Sequence, residues 1–187
     1  MVAPGVRVIA GTARGRRLVV PKGDTVRPTK DRVKAAMFSA LTARDLLIDA
    51  VVLDLYAGSG ALGVEALSRG AASVTFVDSA AAATQAITDN VTRCGFGDRS
   101  EIIRRDARTF LASARTTFDL AFVDPPYDLS DEALRPVVDR LAADLIPGGL
   151  VVLERGVRAE PVEPAGWRES WRRTFGDTLV VFLTSSS

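Results

Sequence analysis

The sequence of 187 residues contains no histidine and a single cysteine, Cys94. Histidine is the commonest general base and metal ligand in enzymes, so its absence disfavours zinc enzymes and hydrolases that use a Ser-His-Asp triad. We therefore expect no metal. A lone cysteine cannot form an internal disulfide, which fits a reducing compartment and predicts a cytoplasmic location.

Long apolar runs are also missing from the chain. No stretch approaches the ~20 residues of a membrane-spanning helix, and the N-terminus lacks the apolar core of a signal peptide, so we expect no membrane association. Apolar residues nevertheless make up 47% of the chain and charged residues 25%, which is typical of a folded domain with a substantial core. The length suits one domain of ordinary size, and we expect a monomer.

The net charge of +1 conceals an uneven distribution of charges. Residues 1–36 carry nine Lys or Arg against two Asp, a local net charge of +7, whereas the remaining 151 residues have a net charge of −6. A basic block on an acidic body is typical of a segment that binds a polyanion such as RNA, and a solvated face is the alternative. The candidate RNA-binding residues are Arg7, Arg14, Arg16, Arg17, Lys22, Arg27, Lys30 and Arg32.

The order of apolar runs predicts an α/β fold. Val6–Ala10 and Arg16–Val20 alternate weakly around a glycine-bearing loop, which predicts an N-terminal β-hairpin. Thr29 is a candidate N-cap for a helix with apolar residues at helical spacing. Short apolar runs then alternate with helical segments, which is typical of a parallel sheet with helices on both faces. We expect a basic arm at 1–28 and a main domain at 29–187.

The pattern also predicts the bounds of the elements in the main domain. The expected strands are Ala50–Leu55, Ser73–Val77, Glu101–Ile103, Phe118–Val123, Leu150–Leu153 and Thr178–Thr184. The expected helices are Ala61–Arg69, Ala80–Arg93, Ala107–Ala114 and Asp131–Ala143. The last strand follows a Gly-Asp turn, so we expect it to pair with residues near Trp171–Phe175. We expect Trp167 and Trp171 to pack there, and stacking on bases is the alternative.

A glycine motif and four acidic residues mark one edge of the expected sheet. Glycines at 58, 60 and 63 form G-x-G-x-x-G between a strand and a helix, where a nucleotide-binding loop belongs. Asp54, Asp78, Asp106 and Asp124 lie at or near the ends of successive strands. Ligands of open α/β sheets bind outside those carboxyl ends. Four carboxylates would repel a pyrophosphate and suit a cationic nucleoside such as S-adenosylmethionine; the alternative is that they cap the following helices.

Three stretches of the sequence together resemble a known family. "DLYAGSGALGVEALSRGA", followed by "FVDPPY", is similar to the Class I S-adenosylmethionine-dependent amino methyltransferases. The N-terminal "RVIAGTARGRRL" and "RPTKDRVKAAMFSAL" narrow the resemblance to the RsmD family of bacterial small-subunit rRNA guanine-N2 methyltransferases. The similarity covers nearly the whole chain, from about Arg7 to the final strand.

The resemblance implies a fold, a cofactor and a set of site residues. The fold would be a Rossmann-like, mostly parallel seven-stranded sheet with an antiparallel last strand and an N-terminal hairpin extension. Asp54, Gly58 and Gly60 would hold the methionine part of S-adenosylmethionine, Asp78 the ribose hydroxyls, and Asp106 with Ala107 the adenine. Ala57 and Ser79 complete the candidate cofactor-binding residues. The product would be S-adenosylhomocysteine, and the partner would be 16S rRNA, within a small-subunit particle.

The tetrapeptide Asp124-Pro125-Pro126-Tyr127 matches the family's catalytic motif. An exocyclic guanine amine is a poor nucleophile because its lone pair is delocalised into the ring. We expect the Asp124 carboxylate and the Pro125 carbonyl to accept hydrogen bonds from the amine, with the rigid diproline fixing their direction. Tyr127 would stack on the flipped base.

Other functions remain open on the sequence alone. A related tetrapeptide serves adenine-N6 methylation of DNA, and a cytosine-C5 enzyme would need a cysteine nucleophile. Cys94 lies at the end of an expected helix, away from any strand end, which disfavours the C5 route. A non-catalytic nucleotide- or RNA-binding module, an NAD-dependent oxidoreductase and a protein glutamine methyltransferase are further alternatives.

Overall fold

The computed structural model describes residues 6–21, 28–114, 116–126, 129–158 and 166–185. Its strands are β1 (Val51–Leu55), β2 (Ser73–Asp78), β3 (Ser100–Arg104), β4 (Phe118–Val123), β5 (Leu145–Gly156), β6 (Trp167–Phe175) and β7 (Thr178–Ser185). Its helices are α1 (Pro28–Thr42), α2 (Ala61–Ser68), α3 (Ala81–Cys94), α4 (Ala107–Ser113) and α5 (Asp131–Asp144), with a short 3₁₀ turn at Gly97–Arg99. Most of these bounds agree with the expected ones to within two residues, and β5 is longer at both ends.

The seven strands form one sheet in the order β3-β2-β1-β4-β5-β7-β6. Neighbouring strands from β3 to β5 are parallel. β7 lies between β5 and β6 and is antiparallel to both. The mostly parallel sheet with an antiparallel last strand is therefore confirmed. Among the described strands, the direction reverses once, at the tight turn that joins β6 to β7.

Helices cover both faces of the sheet, as the apolar runs predict. Side chains alternate between the faces of a strand, so in β4 Phe122 packs on one side and Val123 on the other. The first side holds α1, α2 and α3, with Phe38 of α1 in ring contact with Phe122 at 5.4 Å between centroids. The second side holds α4 and α5. Burial of aliphatic and aromatic side chains on both faces is the main stabilising contribution.

Residues 6–20, which we call the N-terminal segment, pack against the helices that cover the first side of the sheet. The expected hairpin is present only as a single antiparallel bridge between Arg7 and Arg17, not as a pair of strands. The Val8 N–H donates to the Arg16 carbonyl at 3.0 Å, so the two halves still run side by side. Val8, Ala13 and Leu18 are buried in the same core as α1.

The structure also tests two predictions about single residues, the N-cap at Thr29 and the packing of Trp171. Helix α1 begins at Pro28, so Thr29 lies inside the helix and the expectation of an N-cap there is wrong. Proline suits the first helical position because the N–H it lacks would have no partner within the helix. Near the other end, Trp171 packs on Phe182 with ring centroids 4.6 Å apart, which confirms its expected structural place.

Candidate active site

A cavity of about 450 Å³ lies at the carboxyl edge of the parallel strands. Strands β1, β2 and β4 all end there because they are parallel. Asp54, Asp78, Asp106 and Asp124 all line it, so the structure brings the four predicted carboxylates together. Ala57, Gly58, Ser79, Ala107, Pro125 and Pro126 also line the cavity.

Asp54 lies at the bottom of this cavity and is 1% exposed. One carboxylate oxygen accepts a hydrogen bond from the Gly63 N–H at 2.9 Å, in the first turn of α2. Burial raises the pKa of Asp54 well above its ordinary value, and the nearby carboxylates of Asp124 and Asp78 raise it further, while the Gly63 amide opposes the shift. The ionised form of Asp54 is therefore costly, and a bound cation would stabilise that form.

The glycine motif shapes the loop between β1 and α2. Gly60 precedes α2 with φ at +72°, and it is buried rather than exposed to the cavity. A Cβ at Gly60 would lie 3.1 Å from Ile87, and one at Gly63 would lie 2.2 Å from the Phe76 ring. The third glycine thus permits the close packing of α2 on β2, whereas Gly60 sets the turn.

Asp78 ends β2 and binds the glycine loop directly. One of its carboxylate oxygens accepts from the Gly58 N–H at 2.9 Å, and the other accepts from the Ala80 N–H at 2.8 Å. A carboxylate oxygen can accept more than one hydrogen bond. Asp78 can therefore hold the loop and still accept from a ligand in the cavity.

Asp106 caps helix α4, which was the alternative interpretation for this acid. Its Oδ1 accepts from the N–H groups of Arg108 and Thr109, at 3.0 and 3.2 Å. The same side chain lines the cavity. Capping and ligand contact are thus compatible here, since the second oxygen is not used by the cap.

The Asp-Pro-Pro stretch follows directly after β4. Asp124 is half-buried, Pro125 is buried and Pro126 is exposed. The Pro126 carbonyl accepts from the Leu129 N–H at 3.0 Å, which closes the turn. Tyr127 lies outside the described residues, so its predicted stacking stays a prediction.

Tyr56 adds an aromatic ring to the cavity lining. Its φ of +58° is rare for a residue with a side chain, and such strain is concentrated at functional sites. Burial raises the pKa of the Tyr56 hydroxyl, and Asp106 raises it further. The tyrosine therefore presents a neutral hydroxyl near the acid at the start of α4.

The amino-acid sequence was compared with known protein families and with individual proteins. The family described as Conserved hypothetical protein 95 matches residues 6–184. Ribosomal RNA small subunit methyltransferase D of Escherichia coli K12 is 37% identical over 165 residues, which are 87% of this chain and 81% of the relative. The protein of the same name from Haemophilus influenzae is 33% identical, over 91% of this chain and 89% of the relative. The chain belongs to the RsmD family.

A solved structure supports the RsmD assignment at the level of the whole fold. The structure of yhhF from Escherichia coli has a TM-score of 0.86 and 33% sequence identity, covering 98% of this chain and 99% of that one. SMU.776, solved in complex with SAH, shares the fold at 13% identity, with a TM-score of 0.71 over 85% of this chain and 50% of that one.

Four charged residues of this RsmD-family chain line the cavity although sequence reasoning missed them as site residues: Asp31, Lys34, Arg105 and Glu154. Lys34 is 5% exposed, and burial lowers its pKa, while Glu65 and Asp31 oppose the shift. Its signal in the sequence is a charged residue on the apolar stripe of α1, at the i, i+4 and i+7 positions shared with Phe38 and Leu41. Such a lysine needs a buried partner, and Glu65 is that partner at 3.5 Å.

The basic residues of the N-terminal segment lie on its surface. Arg7, Arg14, Arg16 and Arg17 are exposed, as is Arg32 on α1. Arg16 also donates to the Arg93 carbonyl at the end of α3. Lys30 lies in the first turn of α1, and Lys22 and Arg27 lie outside the described residues.

Cys94 is the last residue of α3 and does not line the cavity. It is buried, and burial raises the pKa of its thiol. A nucleophilic cysteine needs the opposite, a lowered pKa and access to the substrate.

Proposed function

We propose that this protein transfers a methyl group from S-adenosylmethionine to the exocyclic N2 amine of a guanine in 16S rRNA. The observation that carries the proposal is the meeting of four carboxylates and the Asp-Pro-Pro turn around one cavity, in a chain of the RsmD family. The proposed catalytic residues are Asp124, Pro125, Pro126 and Tyr127.

The cavity fits S-adenosylmethionine in both size and chemistry. Its volume of about 450 Å³ lies in the range of small-molecule sites. S-adenosylmethionine is a cation with an ammonium group, a ribose diol and an adenine amine, all of which donate to carboxylates, and its sulfonium makes the methyl group electrophilic. Burial makes the ionised carboxylate of Asp54 costly, and such a positive charge would stabilise it. The SAH found in SMU.776 supports the same ligand class for this fold.

Each part of the cofactor has candidate partners along the strand ends. Asp54 with Ala57 and Gly58 would hold the methionine part of the cofactor. Gly60 would set the turn of the loop between β1 and α2 without lining the cavity. Asp78 and Ser79 at the end of β2 would bind the ribose. Asp106 and Ala107 at the start of α4 would meet the adenine.

Two properties of the Asp-Pro-Pro turn would serve the catalytic step: its hydrogen-bond acceptors and their fixed direction. Asp124 and the Pro125 carbonyl would accept hydrogen bonds from the two N–H groups of the guanine amine and so orient its lone pair toward the methyl group. Proline fixes φ near −65°, so these acceptors keep their direction before the substrate binds. As the new N–C bond forms, the bond between sulfur and the methyl group of the cofactor would break and leave S-adenosylhomocysteine. The methylated amine is positively charged and acidic, so its proton would pass to solvent without a dedicated base.

The substrate side of the proposal depends on the basic N-terminal residues. Exposed arginines on residues 6–20 would contact rRNA phosphates, and the acidic body would not. We propose that residues 1–28 are the RNA-binding part, that 29–187 are the methyltransferase part, and that the cytoplasmic monomer acts on small-subunit particles.

Among the described residues, none of the helices has the length and apolarity needed to cross a bilayer.

The experiment that tests the proposal is a methylation assay with labelled S-adenosylmethionine. Undermethylated small-subunit particles, free rRNA and duplex DNA are incubated separately, and the labelled nucleoside is identified by chromatography. We expect N2-methylguanine from the particles. Label in N6-methyladenine of the DNA, with none in rRNA, would contradict the proposal.

Cytosine-C5 chemistry is tested with the same assay and the Cys94→Ser variant. Because Cys94 is buried and away from the cavity, we expect the variant to retain methyl transfer. Formation of 5-methylcytosine that disappears in Cys94→Ser would establish the alternative.

A further inference from the structure

Three buried polar side chains join the N-terminal segment to the methyltransferase part. Glu65 and Ser68 of α2 and Asn90 of α3 are each at most 2% exposed. All three bind main-chain groups of the segment, 55 or more positions away in sequence. We call this set the segment interface. Buried hydrogen bonds of this kind are costly to break, so the segment has a fixed place on the domain.

Glu65 holds the first half of the N-terminal segment, at Ile9 and Ala10. Its carboxylate oxygens accept from the N–H groups of Ile9 and Ala10, at 2.7 and 3.0 Å. Lys34 and Arg69 balance the buried charge, with nitrogen–oxygen distances of 3.5 and 2.8 Å.

Ser68 fixes the turn of the segment. Its hydroxyl donates to the Ala10 carbonyl at 2.6 Å and accepts from the Ala13 N–H at 2.9 Å. The Thr12 N–H donates to the Ser68 carbonyl at 2.8 Å. A Cβ at Gly11 would lie 1.8 Å from that carbonyl oxygen, so the turn packs directly on the backbone of α2.

Asn90 connects the segment to the glycine loop. Its side-chain oxygen accepts from the Val19 N–H at 2.7 Å, and its amide nitrogen donates to the Val19 carbonyl at 2.9 Å. The same nitrogen donates to the Ser59 carbonyl at 2.8 Å. Ser59 belongs to the glycine motif and lines the cavity. One fully buried amide therefore holds the end of the segment and the cofactor loop in a single arrangement.

The segment itself forms part of the cavity lining. Val6 and Val20, at its two ends, line the cavity together with Ser59. Arg7, Arg14 and Arg17 lie exposed on the same segment. The segment thus presents apolar side chains to the cofactor cavity and cationic side chains to solvent.

We propose that Asn90 is a positioning residue that couples rRNA binding on the N-terminal segment to cofactor binding in the cavity. The inference rests on the proposed function, because it takes the exposed arginines as the rRNA contacts. A ligand on the cationic side and a ligand in the cavity both stabilise the arrangement that Asn90 holds. Coupling between two sites is reciprocal, so each ligand must raise the affinity for the other by the same factor.

The coupling is tested by measuring the affinity for labelled S-adenosylhomocysteine with and without saturating undermethylated small-subunit particles. We expect particles to raise the affinity of the wild type by about fivefold or more. In Asn90→Ala we expect the affinity without particles to fall by about tenfold, the scale of one buried hydrogen bond, and the rise with particles to fall below about twofold. A loss of stability alone would not change that ratio in the folded fraction.

Two further variants complete the test. Gln85→Ala changes an exposed side chain of the same helix and should keep both the affinity and the ratio. Val20→Ala leaves the segment interface intact and removes apolar lining, so it should weaken cofactor binding by about threefold even if Asn90→Ala does not fold.

The outcomes separate this inference from the proposed function. The coupling would be overturned if particles did not raise the affinity of the wild type for S-adenosylhomocysteine. It would also be overturned if Asn90→Ala kept the wild-type ratio of the two affinities, or if Val20→Ala kept the wild-type affinity. Absence of rRNA methylation would instead overturn the proposed function, and the measurements without particles would still decide whether Asn90 and Val20 serve the cavity.

Discussion

Asp78 accepts a hydrogen bond from the Gly58 N–H at 2.9 Å, so the acid that ends β2 holds the loop that follows β1. The same carboxylate accepts from the Ala80 N–H at the start of α3. One side chain thus positions the backbone after β1 and the backbone before α3, and it is itself part of the cavity lining.

We expect Asp78→Ala to weaken S-adenosylmethionine binding by about 1.5–3 kcal/mol, the range for hydrogen bonds to a charged group. The weakening has two sources, the missing acceptor for the ligand and the released Gly58 loop. Asp78→Asn keeps an acceptor for the Gly58 N–H and should be affected less. Calorimetry with S-adenosylhomocysteine measures both variants, and circular dichroism checks the fold. Unchanged affinity in folded Asp78→Ala would remove Asp78 from the cofactor site.

We expect Asp124→Ala to retain cofactor binding and to reduce methyl transfer by about 10²–10³-fold, as for removal of one preorganised polar group that stabilises a transition state. Asp124→Asn should be milder, because an amide oxygen still accepts a hydrogen bond. Single-turnover assays on undermethylated particles measure the rate. Full activity in Asp124→Ala would show that the Asp-Pro-Pro turn only ends β4.

We expect replacement of Arg14, Arg16 and Arg17 by alanine to weaken rRNA binding and to flatten its salt dependence. The log–log slope should fall by up to about one unit for each rRNA phosphate that the variant no longer neutralises. Cofactor affinity without RNA should stay unchanged, since these side chains do not line the cavity.

The matched control for the arginine variant changes exposed arginines elsewhere, at Arg172 and Arg173 on strand β6. If this pair alters the salt slope as much per charge as the N-terminal variant does, then overall charge explains the binding. If neither variant changes the slope, the basic block is a solvated face.

We expect Asp54→Asn to stabilise the fold at neutral and higher pH. Burial raises the pKa of Asp54 in the folded protein, so the folded state binds more protons than the unfolded state between the ordinary pKa and the raised one. Stability therefore declines as pH rises through that window. The Tm of the variant should exceed that of the wild type at about pH 8, and the difference should shrink toward about pH 4.

The cofactor role of Asp54 predicts the opposite effect on binding. Asp54→Asn removes the charge that suits a cationic ligand, so affinity for S-adenosylmethionine should fall while Tm rises. A variant that gains stability and keeps full affinity would show that Asp54 only packs against α2.

The sequence predicted the sheet well because its strands are apolar on both faces and stand out from the intervening helices. Phe118–Val123 was found with its bounds, and the antiparallel β7 followed from the turn at Gly176. The β-hairpin at the N-terminus was the weaker prediction. Its alternation is slight, and the segment is held by α2 and α3 side chains rather than by a strand ladder.

The candidate site was predictable where it depends on strand ends and not where it depends on distant contacts. Asp54 and Asp124 share an edge because β1 and β4 are parallel, a fact that follows from the element order. Lys34, Glu65 and Asn90 have no local signature that names their partners. Glu65 and Ile9 are 56 positions apart, and Asn90 and Val19 are 71 apart. Only the folded chain brings these main-chain groups to a buried side chain.

The place of β7 between β5 and β6 also determines when the sheet can be completed. Among the strands that the structure describes, β6 pairs with β7 alone although it is made before β7, and β5 pairs with β7 on that side. During synthesis, the edge of β5 and the whole of β6 therefore lack hydrogen-bond partners until residues 178–185 have emerged. An unpaired strand edge is a template for association with other chains. In the completed sheet, the single strand β7 closes the edges of both β5 and β6.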